Sequence, residues 1–415
     1  MRHVVIVGGG LAGFTTAQEV RRLDAEARIS VVDPLGLPHD RPPLSKEYLT
    51  GEMPQEKLPF HPEPWFEEQR IDLHTDRVER IVPDRGRVEL ASGETLEADV
   101  MVLAQGGRAR TLPIPGGDLP GILQLRTIAD ADRLKALLRP GVRLAIIGAG
   151  LIGAEVAATA AEAGAEVTLV DPVPVPLAPV VGTELAGRLH GMHAEHGVRV
   201  CCAATESIQE LGANSTSDPA RSPSLPGGYR LTLADGTTLE ADAVLVAVGL
   251  VPNTELAEAA GLAVDNGVLV DEAQHTGVGN VYAVGDAARH RLPDGTLARR
   301  HEHWESAMRS GQSAAAAICG QPLWEHGAGW MWSDRYGVHV EAVGDLVNGT
   351  PVTRVVDGLP VTTFQLDERG RMIGAAGINV PKVIRAARRI IDRGLIVPRE
   401  VLEDPTVDLK PFTRG

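Results

Sequence analysis

The sequence predicts an α/β fold with two similar lobes, each built on a parallel β-sheet, and a smaller α+β C-terminal domain. Three observations support this prediction. A strand, glycine turn and helix occur in the same order twice, each copy is followed by a similar hairpin and apolar strand, and the pattern changes after about residue 323. A chain of 415 residues is also too long for one ordinary core, which favours two or three domains.

The two copies of the repeat occupy residues 4–33 and 144–171. Each begins with an apolar strand, continues through a glycine turn into a helical stretch, and ends with a second apolar strand followed by an aspartate. Two lobes with the same order of elements are the simplest explanation of such internal similarity.

A second pair of matching segments extends the repeat. Ser92-Gly93 and Asp235-Gly236 separate runs of alternating polarity, which is typical of hairpins. The apolar runs that follow, 100–104 and 243–247, have the composition of buried parallel strands.

The glycine turns have the spacing that a dinucleotide requires. In the first copy Gly8 permits a tight turn, Gly10 lets the backbone approach a pyrophosphate, and Gly13 lets helix and strand pack closely. The helix that follows offers unpaired N–H groups to phosphate oxygens. Asp33 follows at the spacing expected of an acid that accepts hydrogen bonds from ribose hydroxyls.

The second copy repeats this arrangement with Gly148, Gly150, Gly153 and Asp171. One glycine fingerprint is weak evidence, whereas two in register with strand, helix and acid are strong evidence. The sequence therefore predicts two Rossmann-like dinucleotide-binding domains. A carboxylate at Asp171, with no Lys or Arg in residues 172–181, favours NADH over NADPH because it would repel a 2′-phosphate.

Composition excludes several other classes. A net charge of −15 argues against a nucleic-acid or anionic-membrane binder. No apolar run is long enough to span a bilayer, and residues 4–7 form a strand rather than part of a signal peptide. The chain has three cysteines and no Cys-x-x-Cys pair among Cys201, Cys202 and Cys319. We interpret these cysteines as small buried residues of a protein in a reducing compartment. We therefore expect a cytoplasmic protein.

Several separated motifs resemble those of the FAD-dependent pyridine nucleotide oxidoreductases, and more closely those of the ferredoxin reductases that serve cytochrome P450s and Rieske-type oxygenases. The similarity covers nearly the whole chain. The motifs are residues 40–46 (DRPPLSK), 103–107 (LAQGG), 125–127 (LRT), 248–253 (VGLVPN), 281–287 (VYAVGDA), 300–307 (RHEHWESA) and 332–337 (WSDRYG). Two of them depart from the family pattern, because Gln105 stands where Thr is usual and Arg335 where Gln is usual.

The resemblance implies a flavin site in the first lobe. It places Lys46 beside the isoalloxazine, Arg126 near the pyrophosphate and Asp286 at the ribityl chain, and a helix that begins near residue 306 points its N-terminus at the pyrimidine ring. The candidate FAD-binding residues are Gly8, Gly10, Leu11, Ala12, Gly13, Asp33, Arg41, Lys46, Val78, Ala104, Gly106, Arg126, Gly285, Asp286, His303, Trp304 and Ala307.

The resemblance also implies a nicotinamide site. Glu155 matches the family's acid near the nicotinamide, and an ion pair between Glu155 and Lys46 is expected. Both residues are candidates for a role beside the reacting rings, although the flavin carries the chemistry. The candidate NAD-binding residues are Gly148, Gly150, Leu151, Ile152, Gly153, Glu155, Asp171, Val248 and Gly249.

Two further interpretations remain open. Trp304 and Trp332 either line an electron exit or serve only in packing. His301 and His303 lie two residues apart with no third ligand in evidence, so we expect no metal site.

The motif order predicts a discontinuous first domain. We expect an FAD-binding domain of residues 1–115 and 245–322, an NAD-binding domain of residues 116–244 and a C-terminal domain of residues 323–415. Residues 34–80 are expected to form loops and short helices, and the Ser- and Pro-rich segment 212–228 a surface loop. The sequence leaves open whether the protein is a monomer or a homodimer.

The route by which electrons leave the flavin separates the possible functions. Disulfide reductases of this superfamily carry a redox-active cysteine pair after the first acid, but residues 34–80 contain no cysteine. An external one-electron acceptor such as a [2Fe-2S] ferredoxin therefore fits best. The alternatives are an NADH oxidase or dehydrogenase that uses oxygen, quinone or another small acceptor, and a flavoprotein that senses NADH.

One helix offers a candidate docking face for an acidic ferredoxin. Its basic residues recur at spacings of three and four, opposite Ile384, Ala387 and Ile391. A solvated face with no partner is the alternative. The basic residues are Lys382, Arg385, Arg388, Arg389 and Arg393.

Overall fold

The computed structural model describes residues 2–212 and 227–414; most of the expected surface loop 212–228 therefore lies outside the described residues. The strands are β1 (His3–Val7), β2 (Arg28–Val32), β3 (Ile71–His74), β4 (Val78–Val82), β5 (Arg87–Leu90), β6 (Thr95–Glu97), β7 (Val100–Leu103), β8 (Gly107–Ala109), β9 (Arg143–Ile147), β10 (Glu166–Val170), β11 (Arg199–Cys201), β12 (Thr205–Glu210), β13 (Tyr229–Leu233), β14 (Thr238–Ala241), β15 (Ala243–Val246), β16 (Leu250–Pro252), β17 (Val268–Val270), β18 (Val281–Ala283), β19 (Ala288–His290), β20 (Trp330–Arg335), β21 (Val338–Gly344), β22 (Thr350–Val356), β23 (Leu359–Leu366) and β24 (Met372–Ile378).

The α-helices of the described residues are α1 (Leu11–Leu23), α2 (Glu47–Thr50), α3 (Glu63–Glu68), α4 (Ile128–Leu137), α5 (Leu151–Glu162), α6 (Ala178–Val181), α7 (Thr183–Glu195), α8 (Glu255–Ala259), α9 (Trp304–Ile318), α10 (Pro381–Asp392) and α11 (Arg399–Glu403).

The chain forms two compact units. The first comprises Met1–Arg41, Pro54–Arg108 and Leu250–His326, and the second comprises Pro42–Met53, Ala109–Gly249 and Gly327–Gly415. The first unit holds the first lobe, while the second holds both the second lobe and the C-terminal domain.

A five-stranded parallel sheet in the order β18-β7-β1-β2-β3 forms the centre of the first unit. Strand β1 is buried at every position, as a strand with neighbours on both sides and a packed core on each face should be. Helix α1 begins directly after the glycine turn and packs against α9. The side chains of α1, α9 and one face of the sheet make a continuous apolar core.

A four-stranded parallel sheet in the order β11-β10-β9-β15 forms the second lobe. Its order matches that of β3, β2, β1 and β7 in the first lobe, and α5 takes the place of α1. The two lobes therefore share one topology, which confirms the internal repeat and the predicted α/β fold class.

The predicted hairpins are confirmed in both lobes. Strands β5 and β6 pair antiparallel around Gly93, and β13 and β14 pair antiparallel around Gly236. Both glycines have the positive φ that such turns require (88° and 83°). The apolar runs that follow form β7 and β15, which are fully buried parallel strands.

The C-terminal domain is a five-stranded antiparallel sheet, in the order β20-β21-β24-β23-β22, with α10 packed against it. Within the second unit this sheet also contacts the second lobe, where Arg188 of α7 donates to the carbonyl of Pro360 at 2.7 Å. His193 of the same helix lies 2.7 Å from the hydroxyl of Tyr336. Burial lowers the pKa of His193 to about 3, and the charges of Arg335, His190 and His196 act in the same direction.

Two features of residues 34–80 differ from the sequence expectation. Residues Ile71–His74 form β3, an edge strand of the parallel sheet. This strand contains only two apolar residues, Ile71 and Leu73, but they alternate along the chain and so lie on one face of the sheet. Segment Pro42–Met53 belongs to the second unit. There Leu49 enters the core of the second lobe, and the hydroxyl of Tyr48 donates to Asp132 at 2.6 Å.

No helix among residues 2–212 and 227–414 is both long enough and apolar enough to cross a membrane.

Arg354 provides a test of how the C-terminal tail is held. Its guanidinium is buried over Phe364 and donates to the carbonyls of Val401, Leu402 and Val407. Replacing it with alanine leaves these carbonyls without their donor, so we expect Arg354→Ala to lower the free energy of unfolding by about 3–5 kcal/mol in urea titrations. Arg369→Ala, on an exposed turn of the same domain, should stay within about 0.5 kcal/mol of the wild type. Equal effects of the two substitutions would contradict this account.

Candidate functional site

The first glycine turn depends on close contact between backbone atoms. Gly8 has a φ of 110°, and a Cβ there would overlap the carbonyl of Ala104. A Cβ at Gly13 would overlap the carbonyl oxygen of Gly8. Glycine is therefore required at both positions for β1, β7 and α1 to meet.

Asp33 fastens this turn from the end of β2. Its Oδ2 accepts a hydrogen bond from the amide of Gly9 at 2.6 Å, and its Oδ1 accepts one from the amide of Leu35 at 2.8 Å. Asp33 is thus held beside the turn, and each of its carboxylate oxygens has a further lone pair that can accept a hydrogen bond from a ribose hydroxyl.

The second glycine turn repeats the first in detail. A Cβ at Gly148 would overlap the carbonyl of Ala247, and one at Gly153 would overlap that of Gly148. Asp171 accepts hydrogen bonds from the amides of Ala149 and Val173 at 2.7 and 2.8 Å. The predicted register of strand, turn, helix and acid is present in both lobes.

Both helices begin without a side-chain cap. The N-cap residues are Gly10 of α1 and Gly150 of α5, and neither supplies an oxygen to the first-turn N–H groups. Space is open at Gly150, while a Cβ at Gly10 would have Nη2 of Arg41 as its nearest neighbour, at 3.7 Å. These uncapped donors, with a cation beside the first set, fit the pyrophosphate of a dinucleotide.

The first unit brings further predicted flavin-site residues together. A Cβ at Gly285 would lie 2.8 Å from Cβ of Ala12 and 4.0 Å from Cβ of Ala307, so the 281–287 motif meets the starts of α1 and α9. The indole of Trp304 donates to Asp40 at 3.1 Å, which ties the beginning of α9 to residues just before Arg41.

Gln105 carries an unsatisfied acceptor in the same unit. Its backbone carbonyl accepts a hydrogen bond from the side chain of Asn253 at 3.1 Å. Its side-chain Oε1 is buried and has no hydrogen-bond partner among the described residues. Because buried polar atoms are normally satisfied, this oxygen fits a site that receives a polar ligand.

Five further candidates take other positions in the two units. Val78 is buried in the core of the first unit among apolar side chains. Lys46, Arg126, Val248 and Gly249 belong to the second unit, where Arg126 precedes the capping box of α4.

Glu155 is the centre of a buried polar network in the second unit. Its Oε2 accepts a hydrogen bond from Ser45 and its Oε1 accepts one from Ser333, both at 2.6 Å. The Nζ of Lys46 lies 3.4 Å from Oε1, so the expected ion pair is present. Thr159 of α5 also donates to the backbone carbonyl of Ser45 at 2.9 Å, which fixes the segment that carries Lys46.

Lys46 is shared between two carboxylates. Its Nζ donates to Asp334 at 3.1 Å and lies 5.6 Å from the ring centroid of Trp332. Burial alone would raise the pKa of Asp334, but the hydrogen bond from His339 and the charge of Lys46 outweigh it and hold that pKa below its ordinary value. Lys46 is consequently held in one place by charge on two sides.

Sequence reasoning missed the partners of this network. Ser45, Ser333 and Asp334 all lie inside the motifs named above, but their contacts join residues 110, 178 and 288 positions apart. No local pattern signals such pairs.

His301 and His303 have ring centroids 6.5 Å apart. Burial lowers the pKa of each, which favours neutral imidazoles. In the part of the chain that the structure describes, no group of three or more His, Cys, Asp or Glu side chains is arranged to hold a metal ion.

Comparison with known proteins identifies the class to which this fold and site belong. Residues 2–311 match the family model described as pyridine nucleotide-disulphide oxidoreductase, and residues 330–413 match that described as reductase C-terminal. The chain belongs to the pyridine nucleotide-disulphide oxidoreductase family. It is an oxidoreductase whose cofactors are FAD and NAD(H).

Individual relatives show which members of this family the chain is similar to. The chain is 34% identical to rhodocoxin reductase of Rhodococcus erythropolis, over 98% of this chain and 93% of that one. It is 36% identical to the ferredoxin–NAD(+) reductase component of the anthranilate 1,2-dioxygenase system of Burkholderia cepacia, over 98% of each chain. Its fold is similar to the reductase in a covalent putidaredoxin reductase–putidaredoxin complex, with a TM-score of 0.89, 33% identity and coverage of 99% and 98%.

Two glycines of the second turn test which contacts serve the fold and which serve the ligand. Gly153→Ala forces Cβ into the carbonyl of Gly148, and we expect it to lower the free energy of unfolding by about 1–3 kcal/mol. Gly150→Ala meets open space, so its stability should change by less than about 1 kcal/mol while NAD⁺ affinity falls, because the methyl group blocks close approach of a phosphate.

Urea titration and calorimetric titration with NAD⁺ measure the two effects. Gly187→Ala, at a helical position of α7 that is also open, is the matched control. It should leave NAD⁺ affinity unchanged and raise the free energy of unfolding by up to about 1 kcal/mol, because alanine is the better helix former. Unchanged NAD⁺ affinity in Gly150→Ala would rule out a phosphate at this turn.

Proposed function

We propose that the protein is an NADH-dependent ferredoxin reductase: NADH and two oxidised ferredoxins give NAD⁺, a proton and two reduced ferredoxins. The observation that carries the proposal is the pair of matched, uncapped helix starts, each with its own aspartate, in a chain with no thiol in residues 34–80. Relatives whose names identify them as rhodocoxin reductase, putidaredoxin reductase and the ferredoxin–NAD(+) reductase component of a dioxygenase system support the same activity.

The cofactors are assigned to the two lobes. FAD is bound by the domain of residues 1–115 and 245–322, and the nicotinamide dinucleotide by residues 116–244, with residues 323–415 as the C-terminal domain. The binding residues are those predicted above for each cofactor. In support, the first unit gathers Arg41, Gly285 and Ala307 around the start of α1.

NADH is the preferred reductant. Asp171 is held in place by two amides, and its negative charge would face a 2′-phosphate. An NADP site usually provides an arginine there, and residues 172–181 contain neither Lys nor Arg.

When bound, the two cofactors supply hydride transfer between them and single-electron transfer to an acceptor. The chain itself supplies binding, orientation and charge. The first turns of α1 and α5 hold pyrophosphates, Asp33 and Asp171 accept from riboses, and Lys46 places a cation for the flavin. Glu155, fixed by Ser45 and Ser333, holds Lys46 and provides the acid for the nicotinamide site.

The acceptor is a [2Fe-2S] ferredoxin. Since no cysteine occurs where disulfide reductases of this family carry their redox pair, electrons leave to a separate carrier. NADH is produced and consumed inside the cell, so the proposal includes a cytoplasmic location.

Helix α10 supplies the proposed docking face. Lys382, Arg385, Arg389 and Arg393 are exposed and Arg388 is half-buried, while Ile384, Ala387 and Ile390 are buried beneath them. A concentration of positive charge on a chain of net charge −15 would orient an acidic ferredoxin towards this helix.

Stopped-flow spectroscopy of the FAD-loaded protein tests the proposed activity. We expect NADH to bleach the flavin rapidly, and NADPH to do so at least about tenfold more slowly because of charge repulsion at Asp171. Reoxidation should be slow with oxygen and rapid with members of a panel of [2Fe-2S] ferredoxins. Rapid oxygen consumption would favour an oxidase instead, and reduced protein that ignores every acceptor would favour an NADH sensor.

Charge reversal on α10 tests the docking face. We expect Lys382→Glu/Arg389→Glu to raise the KM for the ferredoxin about tenfold at low salt, with a smaller effect as ionic strength increases. The rate of flavin reduction by NADH should not change. Arg85→Glu/Arg369→Glu, which alters net charge equally at other exposed positions, is the control. If both double variants raise the KM equally, α10 is not the docking face.

A further inference from the structure

Arg335 is an unusual residue for the position it occupies. It ends β20, on the face of that strand that also buries Met331 and Ser333, and only 4% of its surface is exposed. It also departs from the family motif, in which glutamine is usual. A charged side chain so deeply buried requires a physical reason.

The hydrogen bonds of Arg335 do not supply that reason. Its Nη2 donates to the hydroxyl of Ser333 at 2.9 Å. Its Nε and Nη1 are buried and have no partner among the described residues. A buried guanidinium with two of its three nitrogens unpaired in this way stabilises the fold less than a neutral side chain of similar size would.

Arg335 is linked to Glu155 through one shared hydrogen-bond partner. Ser333 lies between them, since its hydroxyl accepts from Arg335 and donates to Oε1 of Glu155 at 2.6 Å. Burial lowers the pKa of Arg335, and the negative charge of Glu155 is the strongest influence opposing that change. The principal electrostatic partner of Arg335 is therefore the acid assigned to the nicotinamide site.

Arg335 completes a balance of charge. Glu155 contacts Lys46 directly and Arg335 through Ser333, and Lys46 also contacts Asp334, so the charges of these two acids and two bases balance. His339 extends the network, because it lies 2.6 Å from Asp334 and 3.9 Å from Glu341. With glutamine at position 335 the surroundings of Glu155 would be more negative by one unit charge. The difference matters because oxidised nicotinamide is a cation and reduced nicotinamide is neutral, so an excess negative charge would favour NAD⁺ over NADH.

We infer that Arg335 is a positioning and specificity-determining residue that weakens the binding of NAD⁺ relative to NADH by balancing the charge of Glu155. This inference rests on the proposed function, in which Glu155 lies at the nicotinamide site. Arg335 acts through Ser333 and Glu155, and it promotes release of the oxidised product.

The test is calorimetric titration of the FAD-loaded protein with NAD⁺ and with ADP-ribose, which lacks the nicotinamide ring. We expect Arg335→Gln to bind NAD⁺ about three- to tenfold more tightly, the range for one unit charge removed at a partly screened distance, and ADP-ribose with unchanged affinity. Arg335→Lys, which retains the charge, should match the wild type. Arg369→Gln, which alters net charge equally on an exposed turn, should change neither affinity.

A second variant tests the inference independently of how Arg335→Gln folds. Glu155→Gln leaves Lys46 and Arg335 with a single acid, so it should weaken NAD⁺ binding relative to ADP-ribose, opposite in direction to Arg335→Gln. A purely structural role for Arg335 would move both affinities together.

The results of these titrations distinguish failure of the inference from failure of the proposed function. Wild-type protein that binds neither NAD⁺ nor ADP-ribose would overturn the proposed function, and the inference with it. Normal ADP-ribose binding, with a ratio of NAD⁺ to ADP-ribose affinity that is the same in wild type, Arg335→Gln and Glu155→Gln, would overturn the inference alone.

Discussion

The close approach of backbone to backbone at the two glycine turns is the constraint on which the rest of the architecture depends. At Gly13 and Gly153 the helix packs so tightly on the preceding strand that a Cβ has no room. The helices α1 and α5 begin directly after these turns, and their N-cap residues, Gly10 and Gly150, have no side chain to cap the first-turn N–H groups. Uncapped donors carry an energetic cost, which an anionic ligand offsets. The same local geometry appears in both lobes because the same residues recur at the same spacing.

The second unit adds a different kind of organisation. Three segments far apart in the chain meet at Glu155: Ser45 and Lys46 from the segment between β2 and β3, α5 itself, and Ser333 from β20 of the C-terminal domain. Each contributes a hydrogen bond or a charge to one carboxylate. The C-terminal domain is therefore part of the network around this acid, and its sheet is held to the second lobe by contacts such as Arg188 with Pro360 and His193 with Tyr336.

Electrostatics gives this network a functional interpretation. A buried carboxylate with two hydroxyl donors and a nearby ammonium group is well satisfied without a further cation. The addition of Arg335, with two unpaired nitrogens among the described residues, is difficult to explain by stability. Its charge is best understood through the ligand, because the charge of the nicotinamide ring changes during the proposed reaction while that of the surrounding side chains does not.

Much of this protein could be predicted from its sequence, because the decisive signals are local. Strand, glycine turn, helix and acid lie within one short segment, so the spacing of Gly8, Gly13 and Asp33 determines the first lobe and its candidate ligand, and the hairpins at Gly93 and Gly236 follow from turn chemistry. The sequence also indicated Lys46 and Glu155 as partners, through resemblance rather than through physics.

Tertiary structure alone decided the rest. It assigned residues 42–53 to the second unit, made a strand of Ile71–His74, and joined Ser45, Ser333 and Arg335 around Glu155. The contacts of Ser45 and Ser333 with Glu155 connect residues more than a hundred positions apart, and they depend on how whole segments pack. A periodic pattern reports on neighbours along the chain, and it carries no information about which distant side chain will share a buried charge.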